Sequence, residues 1–170
     1  MNALSALRSR RQRAQARSFS GADGLILDLE DSVVPANRPA ARRQARAFLA
    51  SSGSAGFRRY VRINPLASGM ALDDLVAVVP ERPDGILLPK CVPEDVRTLD
   101  HYLSALEAAS GSSPGAIRII AIATETPAAM LALASHADGA YAGASARLGS
   151  KASPGALRTC QQLSAATIAG

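Results

Sequence analysis

Ionisable side chains follow four apolar segments of the chain, with at least one such group at the end of each segment. In chain order they are Asp28, Glu30, Asp31, Arg62, Lys90 and Glu125. Carboxylates beside an arginine and a lysine suit an anionic substrate held next to a divalent cation. An arginine grips a carboxylate through two parallel hydrogen bonds, and carboxylate oxygens are natural Mg²⁺ ligands. Each charge alone could equally be a surface ion pair, so their significance depends on whether the fold brings them together.

The elements that must position these groups alternate along the chain. Short apolar runs bounded by Gly, Pro or charged residues predict five strands, at Gly24–Leu29, Arg59–Asn64, Gly85–Pro89, Ile117–Ala123 and Gly139–Gly143. Helical patterns lie between and after them, at Ala36–Ala50, Ala71–Val79, Pro93–Ser110, Pro127–Ala137 and Pro154–Ile168. Alternation of this kind predicts a parallel sheet. The carboxyl ends of parallel strands meet at one edge, so we expect the ionisable groups to converge there.

The length sets how much of such a fold the chain can form. A complete eight-unit barrel takes roughly 250 residues, whereas this chain has 170. The predicted fold class is therefore α/β, an incomplete (β/α)8 TIM barrel with about five recognisable βα units. We assign the partial barrel to residues 21–170 and a basic N-terminal helix to residues 1–20.

The charge of the chain is concentrated near its start. Up to Arg62 there are twelve arginines and four acidic residues, and no acidic residue precedes Asp23. A nucleic-acid footprint and an organelle presequence are alternative interpretations of this bias. No aromatic side chain lies among the early arginines to stack on bases. We therefore interpret the segment as a solvated basic helix and expect no nucleic-acid partner.

Composition indicates the setting in which the protein works. No stretch approaches the ~18 uncharged apolar residues that a membrane span needs, so no membrane partner is expected. The two cysteines, Cys91 and Cys160, lack the spacing of a metal site or a disulfide framework. A reducing cytoplasm is the predicted location.

Four blocks of sequence resemble those of a known family. They are "GADGLILDLEDSVVPANRPAAR" (Gly21–Arg42), "YVRINPLAS" (Tyr60–Ser68), "DGILLPKCVPEDV" (Asp84–Val96) and "IAIATETPAAM" (Ile120–Met130). In this order they are similar to signature blocks of the citrate lyase beta-subunit family, whose superfamily includes malyl-CoA lyase and related aldolases. The similarity covers roughly residues 21–145 and continues more weakly through Ser153–Gly170, which resembles the family's next helix.

The resemblance implies a function and a set of site residues. Family members are TIM barrels, usually trimers or larger homo-oligomers, that use Mg²⁺ to handle an acyl-CoA or a 2-oxo or hydroxy acid. By this resemblance Arg62 binds the substrate, and Glu125 is a metal ligand that also contacts the substrate. Glu30 and Asp31 match acids at the edge of the site, and Lys90 matches the lysine of a "PK" block. Together with Arg62, these three are the catalytic residues that the resemblance implies. The expected activity is that of a Mg²⁺-dependent carbon–carbon lyase.

Three departures from the family pattern support an alternative. The usual opening strand is replaced by an arginine-rich run, and the family's last two strands are not found. The block that normally supplies a second acidic metal ligand has Ser145 and Ala146 in place of the acids. The alternative is therefore a truncated, catalytically impaired paralogue. A third and weaker alternative is an arginine-driven nucleic-acid binder, which steep salt dependence would reveal.

Overall fold

The structure is a computed structural model that describes residues 23–53 and 57–131, together with the backbone of residues 160–164. Several predictions fall elsewhere in the chain. The basic helix over residues 1–20, the strand Gly139–Gly143 and the block with Ser145 and Ala146 lie outside the described residues.

Five parallel strands form one sheet, which confirms the predicted α/β class. The strands are β1 (Gly24–Asp28), β2 (Arg58–Arg62), β3 (Gly85–Pro89), β4 (Arg118–Ile122) and β5 (Cys160–Ser164). Their order across the sheet is β4-β3-β2-β1-β5, and every neighbouring pair is parallel. From β1 to β4, each strand lies beside the next one in sequence, as successive strands do in a (β/α) barrel.

Four α-helices connect or follow the strands: α1 (Arg38–Ser51), α2 (Ala71–Val78), α3 (Pro93–Ala109) and α4 (Pro127–Leu131). Proline begins α3, where its missing N–H costs no hydrogen bond. The Asp95 carboxylate accepts a hydrogen bond from the Val92 backbone N–H at 2.9 Å and thereby closes the first turn. No helix in the described part of the chain has the length and apolar character needed to cross a membrane.

The hydrophobic core lies between one face of the sheet and the helices. Alternate residues of β1 and its extension, Leu25, Leu27 and Leu29, are at most 1 % exposed. They share a cluster with strand and helix residues that include Val61, Ile86, Phe48, Leu75, Leu99 and Leu103. Each such buried side chain stabilises the fold by about 1.5–3 kcal/mol. Successive strand residues point to opposite faces, so Asp28 lies on the face away from the helices.

A buried carboxylate fixes the amino end of β4. Glu107 of α3 has no solvent exposure. It accepts hydrogen bonds from the backbone N–H groups of Gly115 at 2.9 Å and Ile117 at 2.8 Å. Because these bonds satisfy both oxygens, Glu107 anchors the α3–β4 connection at the end of the sheet opposite the acidic groups.

The helix predicted over Pro154–Ile168 is wrong at its centre, where residues Cys160–Ser164 form β5. This strand pairs with β1 from Gly24↔Cys160 to Asp28↔Ser164. The edge of β1 that β2 leaves free offers a row of backbone donors and acceptors. Pairing with that edge outweighs the local helical pattern, because strand formation depends on neighbours more than on intrinsic propensity.

Candidate active site

The structure brings the predicted ionisable groups together at the carboxyl ends of β1 to β4. Arg62 and Lys90 form ion pairs with the carboxylates that end or follow β1, and the Lys90 backbone contacts Glu125. The convergence predicted from strand order is therefore present in the fold. Residues Glu30 and Asp31, which directly follow β1, are called the acidic segment below.

Asp28 and Arg62 form the buried centre of the site. They are partners in the parallel register of β1 and β2, so their side chains lie side by side on one face. Asp28 accepts two hydrogen bonds from the guanidinium, from Nε at 2.9 Å and from Nη2 at 2.6 Å. The Asp28 side chain is fully buried and that of Arg62 is 13 % exposed. This forked, charge-assisted geometry fixes the plane of the guanidinium.

Three further hydrogen bonds hold the Asp28 carboxylate. The Glu30 backbone N–H donates to Oδ1 at 3.0 Å, and the Ser32 backbone N–H donates to Oδ2 at 3.2 Å, as does the Ser32 hydroxyl. Burial alone would raise the pKa of Asp28, but the hydrogen bonds from Arg62, Ser32 and Glu30 outweigh it and lower the pKa to about 2. The hydrogen bond to Asp28 in turn raises the pKa of Arg62. Both groups therefore stay charged at neutral pH.

The acidic segment bridges the two cations of the site. Glu30 is 3 % exposed, and its oxygens lie 2.8 Å from Lys90 Nζ and 3.4 Å from Arg62 Nη1. The contacts with these two cations balance the buried charge of Glu30. Asp31 is more exposed and lies 3.5 Å from Arg62 Nη1 and 3.6 Å from Lys90 Nζ. A hydrogen bond from the Lys90 ammonium to Glu30 raises the pKa of Lys90.

The backbone at Lys90 links this cluster to Glu125. Lys90 adopts a left-handed conformation with φ of 53°, which non-glycine residues rarely do. Its N–H donates to Glu125 Oε2 at 3.1 Å, while its side chain extends to Glu30. Backbone strain of this kind is found preferentially at functional sites. Glu125 is exposed to solvent beyond β4 and adjoins the cluster through this bond.

Two contributors were not among the predicted site residues. The sequence places Asp28 at the end of β1 but indicates no role for it. The strand register pairs Asp28 with Arg62 and thereby makes it the ion-pair partner of that arginine. Asn64, which lies between the two strands' carboxyl ends, was missed entirely. The Asn64 side-chain Nδ2 donates a hydrogen bond to the Leu29 carbonyl oxygen at 3.0 Å. No local sequence pattern indicates such a contact.

The charges of the cluster do not cancel. Four carboxylates (Asp28, Glu30, Asp31 and Glu125) against two cations (Arg62 and Lys90) leave a net charge of −2. Within residues 23–53 and 57–131, no three His, Cys, Asp or Glu side chains are grouped closely enough to form a complete metal site. A divalent cation here would therefore need water or substrate oxygens to complete its coordination, as Mg²⁺ commonly does.

Cys91, next to Lys90, does not add a reactive side chain to the cluster. Its side chain is 1 % exposed. Burial, with a smaller contribution from the Asp95 charge, raises the pKa of its thiol to about 11. The thiol is therefore protonated and poorly reactive at neutral pH.

A parallel sheet that presents an arginine and several carboxylates at its carboxyl end has the layout of a (β/α)-barrel enzyme site. The sequence profile of the HpcH/HpaI aldolase/citrate lyase family matches residues 7–140. The chain belongs to this family, which confirms the resemblance seen in its motifs.

Named relatives agree with this assignment. The chain is 36% identical over 107 residues to the citrate lyase subunit beta of Escherichia coli strain K12. The aligned part covers 62% of this chain and 35% of the relative. The chain is 40% identical over 99 residues to the L-malyl-CoA/beta-methylmalyl-CoA lyase of Rhodobacter capsulatus, covering 54% and 30% respectively. The matches thus span about a third of the length of these lyases.

A solved structure supports the fold. The malate synthase of Haloferax volcanii, determined as a pyruvate/acetyl-CoA ternary complex, superposes with a TM-score of 0.61 over 71% of this chain and 36% of the other. Sequence identity is 18%, so the likeness concerns architecture alone. Together with the parallel strand order, it identifies the described residues as part of a (β/α) barrel.

Proposed function

We propose that this chain is a Mg²⁺-dependent carbon–carbon lyase of the citrate lyase beta-subunit type, acting on an acyl-CoA or a 2-oxo or hydroxy acid. The observation that carries the proposal is the buried Asp28–Arg62 pair beside the acidic segment and Lys90. A fixed guanidinium next to an excess of negative charge suits a carboxylate-bearing substrate that arrives together with a divalent cation.

One edge of the Arg62 guanidinium is hydrogen-bonded to Asp28, and the Nη1 atom at the other edge can bind a ligand. Asp28 occupies Nε and Nη2 at 2.9 and 2.6 Å. Nη1 has only the longer contacts to Glu30 and Asp31, at 3.4 and 3.5 Å. A substrate carboxylate or carbonyl oxygen can replace these weaker contacts without disturbing the Asp28 bonds. The same donor would then stabilise the enolate oxygen that forms when the carbon–carbon bond breaks.

The residues present fit a weakly held Mg²⁺. Glu125 would hold the ion through its carboxylate, with water and substrate oxygens as further ligands. The net charge of −2 over the cluster equals the charge that one divalent ion would neutralise. When bound, Mg²⁺ supplies Lewis-acid polarisation of the substrate oxygen. Glu125 would thereby also contact the substrate.

Lys90 acts through its charge in this proposal. The hydrogen bond to Glu30 raises its pKa, so the ammonium stays protonated. A Schiff-base nucleophile needs the neutral amine and hence a lowered pKa. Lys90 therefore helps to hold an anionic substrate, and the acidic segment orients both cations. In this proposal Glu30 and Asp31 are the groups that exchange a proton with bound substrate.

The alternative is a catalytically impaired member of the family without enzyme activity. Ser145 and Ala146 stand where the family's block has acids, and this favours the alternative. With one anionic ligand in place of two, the Coulomb attraction for a divalent ion falls by roughly half at fixed geometry. Ala146→Asp would then strengthen Mg²⁺ binding, measured by calorimetry.

Calorimetric titration with pyruvate, in the presence and absence of Mg²⁺, tests the proposal. Arg62→Lys should weaken pyruvate binding by about tenfold or more, since the fork geometry is lost. Glu125→Gln should remove the effect of Mg²⁺. Arg46→Lys is the matched control, because Arg46 forms a 3.0 Å ion pair with Glu81 on the surface. Equal pyruvate affinity of the wild type, Arg62→Lys and Arg46→Lys would refute the substrate role of Arg62.

Assembly and location also belong to this proposal. We expect a homo-oligomer, a trimer or larger, in the cytoplasm, with small-molecule substrates as its ligands. Sedimentation velocity at micromolar concentration measures the assembly, and a single monomeric species would count against it.

A further inference from the structure

The side chain of Asn64 joins the carboxyl ends of β1 and β2. Asn64 has no solvent exposure and follows Arg62 by two residues. Its Nδ2 donates to the Leu29 carbonyl oxygen at 3.0 Å and to Asp74 Oδ2 at 2.7 Å, and its backbone N–H donates to the same oxygen at 2.8 Å. Leu29 directly precedes the acidic segment.

This contact extends the pairing of two strands beyond the point where their backbones separate. The last backbone bond between them runs from Leu29 N–H to the Arg62 carbonyl at 2.9 Å. The Asn64 amide then supplies the next donor, to the Leu29 carbonyl, from a side chain. The chain entering the acidic segment is therefore tied on one side to the residues that carry Arg62.

Asp74 of α2 fixes the orientation of the Asn64 amide. Asp74 is fully buried, and its second oxygen, Oδ1, accepts a hydrogen bond from Arg42 Nε of α1 at 2.7 Å. Two helices thus brace one amide group. The Asn64 Oδ1 atom is buried without a hydrogen-bond partner among the described residues. The two Nδ2 hydrogen bonds, to Leu29 and Asp74, connect the carboxyl end of β1 with α2.

We propose that Asn64, braced by Asp74, is a positioning residue that sets the placement of the acidic segment against Arg62 and Lys90. The geometry implies no contact with substrate. If the Nδ2 bond to Leu29 is lost, the segment can move away from β2. The contacts from Glu30 and Ser32 to Asp28, and from Glu30 to Lys90, should then weaken together.

The test is a pair of variants, Asn64→Ala and Asp74→Asn, compared with Glu107→Gln. Glu107 is an equally buried carboxylate that accepts two backbone hydrogen bonds at the other end of the sheet. NMR titration of the ligand-free protein follows the Asp28 carboxyl. We expect Asn64→Ala to raise the pKa of Asp28 by about half a unit or more. Asp74→Asn should act in the same direction, whereas Glu107→Gln should destabilise the fold and leave the pKa of Asp28 unchanged.

An identical Asp28 titration in all three variants and the wild type would overturn the proposal. If Asn64→Ala does not fold, Asn64→Ser, which keeps a short polar side chain, is measured in its place. Pyruvate titration of the same variants then shows whether the placement matters for a ligand. This arm rests on the proposed function, so failure of the wild type to bind pyruvate would refute that function and leave the NMR result unaffected.

Discussion

Replacing Asp28 with asparagine isolates the central ion pair of the site. Asp28→Asn keeps the shape of the side chain but removes the negative charge that Arg62 and Ser32 hold. The stability of the variant should depend on pH differently from that of the wild type, because Asp28 is the group whose pKa lies far below its ordinary value.

The magnitude follows from that pKa. It falls from the ordinary 3.8 to about 2 in the folded protein. The carboxylate therefore stabilises the native state above pH 4, and this contribution disappears as the pH falls through 2. At about 1.4 kcal/mol for each pKa unit, the carboxylate contributes roughly 2–3 kcal/mol at neutral pH. The full burial of the side chain means that little of this is lost to solvent screening.

Urea unfolding at a series of pH values between 7 and 2 measures the effect. The free-energy difference between wild type and Asp28→Asn should be larger at pH 7 than near pH 2 by about 2 kcal/mol. Asp73→Asn is the control, since Asp73 pairs with Arg42 at 3.1 Å but its side chain is 69% exposed. That substitution should cost less than about 1 kcal/mol at either pH.

A difference between wild type and Asp28→Asn that stays constant from pH 7 to pH 2 would refute this reasoning. It would mean that the Asp28 charge is not held more strongly in the native state than in the unfolded chain. The forked contact with Arg62 would then be a matter of packing and not of charge.

Two further predictions concern neighbouring residues of the β3–α3 connection. Because the pKa of Lys90 is raised, treatment with pyruvate and then borohydride should leave no reduced adduct on this lysine. An adduct found there by peptide mass spectrometry would contradict the protonated state. Because burial raises the pKa of Cys91 to about 11, iodoacetamide at pH 8 should label this thiol slowly in the native protein and readily in urea. Equal labelling rates would contradict its burial.

Local sequence signals were sufficient for much of the fold. The run Gly85–Pro89 is apolar throughout, and it forms a strand with the predicted bounds because every one of its residues is buried. Pro93 begins α3 as predicted, since a proline suits the first helical turn. The convergence of Arg62, Lys90 and the acidic segment also followed from strand order, without knowledge of any contact.

Features that depend on distant partners were not accessible in this way. The strand at Cys160–Ser164 exists because β1 offers it a free edge, which no property of those five residues indicates. The ion pair of Asp28 depends on its strand register with Arg62, which is 34 residues away in sequence. The part played by Asn64 depends on Asp74 and Leu29 together. The separate residues were visible in the sequence, but their pairing was not.

The buried ion pair also bears on how such a site can change in evolution. The side chains of Asp28 and Arg62 are 0% and 13% exposed, whereas those of Lys90 and Asp31 are 41% and 58% exposed. Substitutions at the two outer positions alter the charge that an incoming molecule meets while the guanidinium keeps its place. The pair therefore divides the site into a buried anchor and an exposed surround. Under the proposed function, substitutions in the surround would change which acid is preferred while the anchor stays in place.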